Sequence, residues 1–225
     1  MNTDFGIKGF LETSFLDWPG RIAAVIFLGG CNFRCPFCHN AELVLEPHRV
    51  PSIPLGAVLE RLRGLRGWVE GVVVSGGEPT LSPRLPELLG RLRAAGFQVK
   101  LDTNGSHPDV LARLIGRSLV HAIDMDLKAP LEPAAYALLA GVPVRLELIR
   151  ASLEVVRNSG LPHRFRTTYV PGLHDRSAIG RLREVVPADS PFVLQGFRPR
   201  RVLDPALARL APPTPEELAA LGGAA

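Results

Sequence analysis

Apolar positions along the chain alternate between two patterns. Short, nearly continuous apolar runs fall at 22–28, 71–74, 97–101, 122–127, 164–170 and 192–194, and their length and β-branched content predict six buried strands. Between them, apolar residues recur at helical spacing: Leu55, Val58, Leu59, Leu62 and Leu65, then Leu85, Leu88, Leu89 and Leu92 before Gly96. Further stripes run through Leu111, Leu114 and Ile115, through Leu146, Ile149, Leu153 and Val156, and through Ile179, Leu182, Val185 and Val186 after Asp175. Each stripe predicts one buried helix face. A final helix is announced by Thr214-Pro215-Glu216-Glu217, with threonine at the N-cap, proline at the first helical position and glutamate three residues after the cap.

Strand followed by helix, repeated, demands parallel strands joined by right-handed crossovers. Runs apolar throughout mean that both faces of the sheet are covered. Six units on 225 residues fall short of the eight that close a barrel of roughly 250 residues. The expected fold is therefore α/β, a partial, open-sided (β/α)6 barrel of parallel strands, forming a single domain over 1–225 with a short N-terminal extension and a C-terminal helix. Gly and Pro punctuate the whole chain without marking an internal boundary.

Composition narrows the partners. Lys plus Arg number 26 against 22 Asp plus Glu, a net charge of +4 scattered along the chain, which does not call for nucleic acid. The beginning has no apolar leader and no run approaches a membrane span, so a cytoplasmic protein without a membrane partner is expected. Only three of the cations are lysines, Lys8, Lys100 and Lys128, which makes a lysine at a strand end conspicuous.

In barrels of this kind chemistry sits at the C-terminal strand ends. The first strand leads into Gly30-Cys31-Asn32-Phe33-Arg34-Cys35-Pro36-Phe37-Cys38-His39-Asn40, which holds every cysteine of the chain. Three thiolates on one loop can bind three corners of a [4Fe-4S] cluster, leaving one iron for a ligand from outside the protein. A zinc site using His39 as fourth ligand, or haem attachment at Cys35-Pro36-Phe37-Cys38-His39, are the other chemistries. Haem attachment suits an exported chain, and His39 abuts Cys38 more closely than zinc spacing favours. On the loop alone, cluster and zinc both stand.

The second strand ends in Ser75-Gly76-Gly77-Glu78-Pro79, either a tight turn or a backbone that admits a ligand's ammonium group beside the Glu78 carboxylate. The third ends in Asp102-Thr103 and the fourth in Asp124-Met125-Asp126-Leu127-Lys128, so hard oxygen donors and one lysine gather at neighbouring ends. Arg166 and the sequence Gln195-Gly196-Phe197 carry no more signal than turns and surface arginines.

Cys31, Cys35 and Cys38, with Phe37 before the third cysteine and Gly76-Gly77-Glu78-Pro79 one unit later, resemble the radical S-adenosylmethionine enzymes. The lead-in Asp17-Trp18-Pro19-Gly20 together with Cys38-His39-Asn40 is similar to the glycyl-radical-enzyme activases, above all those of anaerobic ribonucleoside-triphosphate reductase. The resemblance implies that the open iron chelates S-adenosylmethionine and cleaves it reductively to a 5′-deoxyadenosyl radical, which abstracts hydrogen from a glycine of a partner glycyl radical enzyme. It implies cluster ligation by Cys31, Cys35 and Cys38, contact of Phe37 and His39 with the nucleoside, and an ammonium site at Gly76, Gly77 and Glu78. Asp126 and Lys128 match an Asp-Leu-Lys motif whose lysine offsets the cofactor carboxylate. Asp102, Thr103, the Met125 carbonyl and Asp126 match a monovalent-cation site.

Three cysteines leave no ligands for a relay cluster, so the resemblance implies an external donor, reduced flavodoxin or ferredoxin. Where pyruvate formate-lyase activases carry a histidine on the last strand, this sequence has Gln195-Gly196-Phe197. The competing expectations are a pyruvate formate-lyase activase, a small-molecule enzyme similar to 7-carboxy-7-deazaguanine synthase, and a non-catalytic zinc scaffold.

Overall fold

The alternation of strand and helix is carried through the chain. A computed structural model describes residues 4–222. In chain order its elements are β1 (Ile7–Ser14), β2 (Ala23–Leu28), α1 (Ala41–Leu45), α2 (Leu55–Gly64), β3 (Gly71–Gly76), α3 (Leu85–Ala94), β4 (Gln98–Thr103) and α4 (Pro108–Gly116). There follow β5 (Ala122–Asp126), α5 (Pro133–Ala140), α6 (Leu146–Arg157), β6 (His163–Tyr169), α7 (Arg176–Val185), β7 (Phe192–Gly196) and α8 (Pro215–Ala220). The strands form one sheet in the order β1 to β7. The fold is α/β with a seven-stranded, mostly parallel open sheet, as a partial barrel requires.

The seventh strand corrects the sequence reading. β1 runs antiparallel to β2, so the sheet is not parallel throughout. Its register slips between Ile7 and Gly9 and again between Leu11 and Ser14. Two irregularities in eight residues break the period-two alternation by which a strand is recognised. α1 and α5 also escaped notice: α1 has five residues, and α5 is Ala- and Leu-rich without a polar face to set its period.

Backbone contacts divide the chain into two units. The first comprises Met1–Asn32, Glu42–Thr103 and Asp109–Ile123. There β2 pairs with β3 in parallel from Ala23↔Gly71 to Leu28↔Gly76, so the two strands end level. Trp18 is buried with Ala23, Val25, Val73 and Ala122. Its ring lies so close to Gly71 that a Cβ there would come within 2.6 Å of it, which gives the Asp17-Trp18-Pro19-Gly20 lead-in a packing role. Leu55, Val58 and Leu62 of α2 and Leu85, Leu88, Leu89 and Leu92 of α3 are buried as their spacing predicted. Each fully buried leucine contributes about 1.5–3 kcal/mol.

The second unit comprises Phe33–Ala41, Asn104–Pro108 and Asp124–Ala225. α6 buries Ile149, Leu153 and Val156. Asp175 caps α7 through the Ala178 N–H, and Thr214 and Glu217 form the expected capping box at α8. β6 and β7 pair in parallel from Phe165↔Phe192 to Tyr169↔Gly196.

Candidate functional site

In the first unit the exits of β2 and β3 are stitched together. The Gly77 N–H donates to the Leu28 carbonyl at 2.9 Å, the Glu78 N–H to the Gly30 carbonyl at 2.8 Å, and the Gly30 N–H to Leu43 of α1 at 2.7 Å. A Cβ on Gly77 would stand 1.9 Å from the Gly30 oxygen, and one on Gly76, whose φ is +120°, 2.3 Å from the Leu28 oxygen. Both glycines are thus required by close backbone approach next to Cys31, whatever ligand they meet.

The Glu78 carboxylate is buried. Its Oε1 accepts from the Thr80 N–H at 3.1 Å, from the Thr80 hydroxyl, and from the Thr103 hydroxyl at 2.8 Å. Glu78 therefore ties the β3 exit to the end of β4. Asp102 pairs with the ammonium of Lys100, itself almost fully buried. Sequence reasoning left Lys100 without a role, because only the shared face of β4 brings it to Asp102.

The second unit holds the remainder of the cysteine loop. The Cys38 N–H donates to the Cys35 carbonyl at 3.0 Å, a tight turn carrying two of the thiols. None of the three cysteines is in a disulfide. Burial raises the pKa of the Cys38 thiol, opposed by the Asn40 N–H and the charges of Lys128 and Arg34. Those three groups favour a thiolate once burial is offset. Among the described residues no three Cys, His, Asp or Glu side chains are already drawn into metal-ligating geometry.

Two other segments brace this loop. From α5, the Ala140 carbonyl accepts from the Arg34 N–H at 2.7 Å, and Gly141, at φ +70°, lets the helix end approach where a Cβ would come 2.0 Å from the Arg34 oxygen. From beyond β7, the Leu203 N–H donates to the Cys38 carbonyl at 3.1 Å and the Asp204 N–H to the Pro36 carbonyl at 2.8 Å. His39 stacks on Phe197 with ring centroids 6.2 Å apart, and its Nε2 donates to the Arg198 carbonyl at 2.7 Å. The residues standing in place of a last-strand histidine thus support His39. With Nε2 donating to a carbonyl, Nδ1 is the ring nitrogen of His39 left to accept a proton or meet a ligand.

Asp126 and Lys128 meet as the sequence suggested. Lys128 Nζ lies 3.3 Å from Asp126 and 6.0 Å from the centroid of the buried Phe37 ring. Burial would lower the Lys128 pKa, but Asp126 and the nearby Cys35, Tyr136 and Cys38 raise it, so the amine stays protonated. Burial likewise opposes ionisation of Asp126, and Arg166 and Lys128 outweigh it, holding the carboxyl at about 2. Arg166 reaches Asp126 at 2.9 Å and Asp124 at 3.3 Å, and Arg164 Nε reaches Asp124 at 3.0 Å. This ladder was missed; its signal is the matching Asp124-x-Asp126 and Arg164-x-Arg166 alternation. His174, which carries no motif in the sequence, is buried and neutral: Nδ1 accepts from the Val170 N–H at 3.1 Å and Nε2 donates to the Lys128 carbonyl at 2.9 Å. It fixes the backbone that carries Lys128.

Of the residues matched to a cation site, Asp102 and Thr103 belong to the first unit, Met125 and Asp126 to the second. Lys100 neutralises Asp102, and Arg166 with Lys128 neutralises Asp126. Met125 is buried, with its thioether packed on Gly105. No helix among the described residues is long and apolar enough to cross a membrane.

Comparison with known proteins places this arrangement. A Methanocaldococcus jannaschii protein provisionally named a glycyl-radical enzyme activating enzyme is 30% identical over 220 residues, 96% of this chain and 90% of its own. A 7-carboxy-7-deazaguanine synthase of Methanopyrus kandleri is 35% identical over 131 residues, 49% of this chain and 51% of its own. The structure of TYW1 with a lysine-pyruvate adduct bound superposes with a TM-score of 0.61 at 18% identity, covering 88% of this chain and 71% of that one, a likeness of fold. Residues 25–184 match the sequence profile of the Radical SAM superfamily. With its cysteine loop at the exit of β2 and that match across most of its length, the chain belongs to the radical SAM superfamily, a membership that implies a [4Fe-4S] cluster and S-adenosylmethionine.

Proposed function

We propose that this protein is an activase that raises a glycyl radical on a partner enzyme, and that the partner is anaerobic ribonucleoside-triphosphate reductase. The observation that carries the first part is the end-to-end match to the M. jannaschii relative, where the deazaguanine synthase aligns over only half of either chain. The choice of partner rests on the Asp17-Trp18-Pro19-Gly20 and Cys38-His39-Asn40 likeness.

The donor set suits the cluster. Three thiols on one loop, positive charge from Lys128 and Arg34 near Cys38, and a buried tyrosine hydroxyl without a protein partner at Tyr136 are what a sulfur-rich anionic group would satisfy. Cys31, Cys35 and Cys38 would hold it. When bound, the reduced cluster supplies the electron that splits S-adenosylmethionine into methionine and the 5′-deoxyadenosyl radical.

The chain's own residues position the cofactor. Lys128, kept protonated, offsets its carboxylate, with Asp126 and His174 fixing the side chain and the backbone of that lysine. Gly76 and Gly77 present backbone to its ammonium group, with Glu78 adding negative charge. Phe37 and His39 border its nucleoside. Residues 1–225 act as one radical SAM domain, and reduced flavodoxin or ferredoxin delivers the electron.

The test is anaerobic incubation of the iron–sulfide-reconstituted protein with reductant, S-adenosylmethionine and purified anaerobic ribonucleotide reductase, followed by electron paramagnetic resonance. A glycyl-radical doublet on the reductase is expected. Turnover of a pterin substrate with no radical on any protein would instead assign a small-molecule enzyme.

A further inference from the structure

Tyr136 heads the fully buried side chains of the described residues, with no exposed surface. Its hydroxyl is the one buried side-chain polar atom among them without a hydrogen-bond partner. An orphaned hydroxyl costs about 1–3 kcal/mol, and phenylalanine would fill the same space without that penalty. Within the protein alone, the hydroxyl is a liability.

Its surroundings say where a partner belongs. The ring sits edge-on to Phe33 at 6.4 Å, two residues before Cys35, and α5 is pinned to this loop through Arg34 and Ala140. The hydroxyl approaches the Lys128 backbone without reaching hydrogen-bond geometry and lies within electrostatic reach of Lys128 and Cys35. The Lys128 carbonyl already accepts from His174, and the Lys128 ammonium can only donate. Burial raises the phenol pKa, so the group is a proton donor in search of an acceptor. Cys35, in electrostatic reach of the hydroxyl, lies on the side where a bound cluster would bring sulfur acceptors.

We infer that Tyr136 donates its hydroxyl hydrogen to the sulfur ligand sphere built on Cys35 when the [4Fe-4S] cluster is bound, and thereby sets the cluster's reduction potential. The inference rests on assigning the cluster to the cysteine loop and is independent of which partner receives the radical. A hydrogen bond to a cluster sulfur stabilises the more negative, reduced state. Tyr136 is a positioning residue acting through Cys35, with no contact to the reacting atoms.

The experiment is Tyr136→Phe in the reconstituted protein, without S-adenosylmethionine, with the cluster's midpoint potential followed by anaerobic redox titration. Metal-free wild type and variant are melted alongside. The expected result is a lower midpoint potential with equal or higher thermal stability of the metal-free variant. As a second probe, 3-fluorotyrosine at position 136 keeps the shape and strengthens the donor, and it should move the midpoint the other way. An unchanged midpoint overturns the inference, as does a lower melting temperature of the metal-free variant, which would mean that the hydroxyl has a protein partner. An unchanged midpoint with weakened S-adenosylmethionine binding would assign the hydroxyl to that ligand, again overturning it. Failure to radicalise any partner enzyme, with the potential shift intact, would sink the proposed activity and leave this inference standing.

Discussion

Gly77→Ala separates the packing role of the Gly76-Gly77 pair from its ligand role. The added methyl would lie 1.9 Å from the Gly30 oxygen, 2.6 Å from its carbonyl carbon and 3.2 Å from the Cys31 nitrogen. All three are backbone atoms, and they cannot swing aside: Gly77 and Glu78 donate to Leu28 and Gly30 across the same gap. Overpacking typically costs 1–3 kcal/mol, and rigid neighbours place this case at the upper end, about 3 kcal/mol. For a chain of this size that is roughly 6–12 °C in melting temperature. The assay is thermal unfolding of the metal-free protein by circular dichroism, with Gly96→Ala as control. Gly96 has φ +90° but open space around it, so its cost is backbone strain alone, about 1 kcal/mol. If Gly77→Ala melts within about 2 °C of wild type while Gly96→Ala falls, the packing argument is refuted, and the glycine must be explained by its ligand.

Asp126→Asn leaves Arg166 and Lys128 without their shared carboxylate and should cost about 2 kcal/mol in urea unfolding at pH 7, less than a fully buried pair; 31% of the Asp126 side chain is exposed. Because the folded pKa of Asp126 is depressed to about 2, its contribution is complete above the unfolded value and is lost as pH falls through the folded one. The gap between wild type and variant should hold from pH 5 to 8, narrow as pH falls from about 4 and close near about 2, whereas a gap that widened in acid would contradict the assignment. His174 has a pKa lowered by burial, so the folded state resists its protonation, and wild-type stability should decline as pH falls below about 6.5. His174→Gln should reduce that slope; an unaltered slope counts against the buried neutral ring. Lys128→Met should weaken S-adenosylmethionine binding by about tenfold or more at unchanged iron content, measured by equilibrium dialysis, and unaltered affinity would remove Lys128 from the cofactor site.

What the sequence showed and what it hid follow from the range of the interactions involved. Leu85, Leu88, Leu89 and Leu92, or the Thr214 capping box, are local patterns, and the structure honours them residue by residue. Cys31, Cys35 and Cys38 are legible because their chemistry is concentrated within eight positions. β1 was hidden by its bulges, which destroy the local period while antiparallel pairing with β2 supplies the missing order. The Asp124, Asp126, Arg164 and Arg166 ladder was hidden by a separation of 40 residues; either half alone reads as ordinary surface charge. Tyr136 gave no signal, since a tyrosine on an apolar helix looks like core until its hydroxyl is found without a partner.

The most direct test of the account is whether the reconstituted protein cleaves S-adenosylmethionine under anaerobic reduction by dithionite, read as 5′-deoxyadenosine, beside a Cys35→Ala control. The account predicts 5′-deoxyadenosine from the wild type and none from the variant. Zinc at one equivalent, with no sulfide and no 5′-deoxyadenosine from anaerobically purified protein, would contradict it.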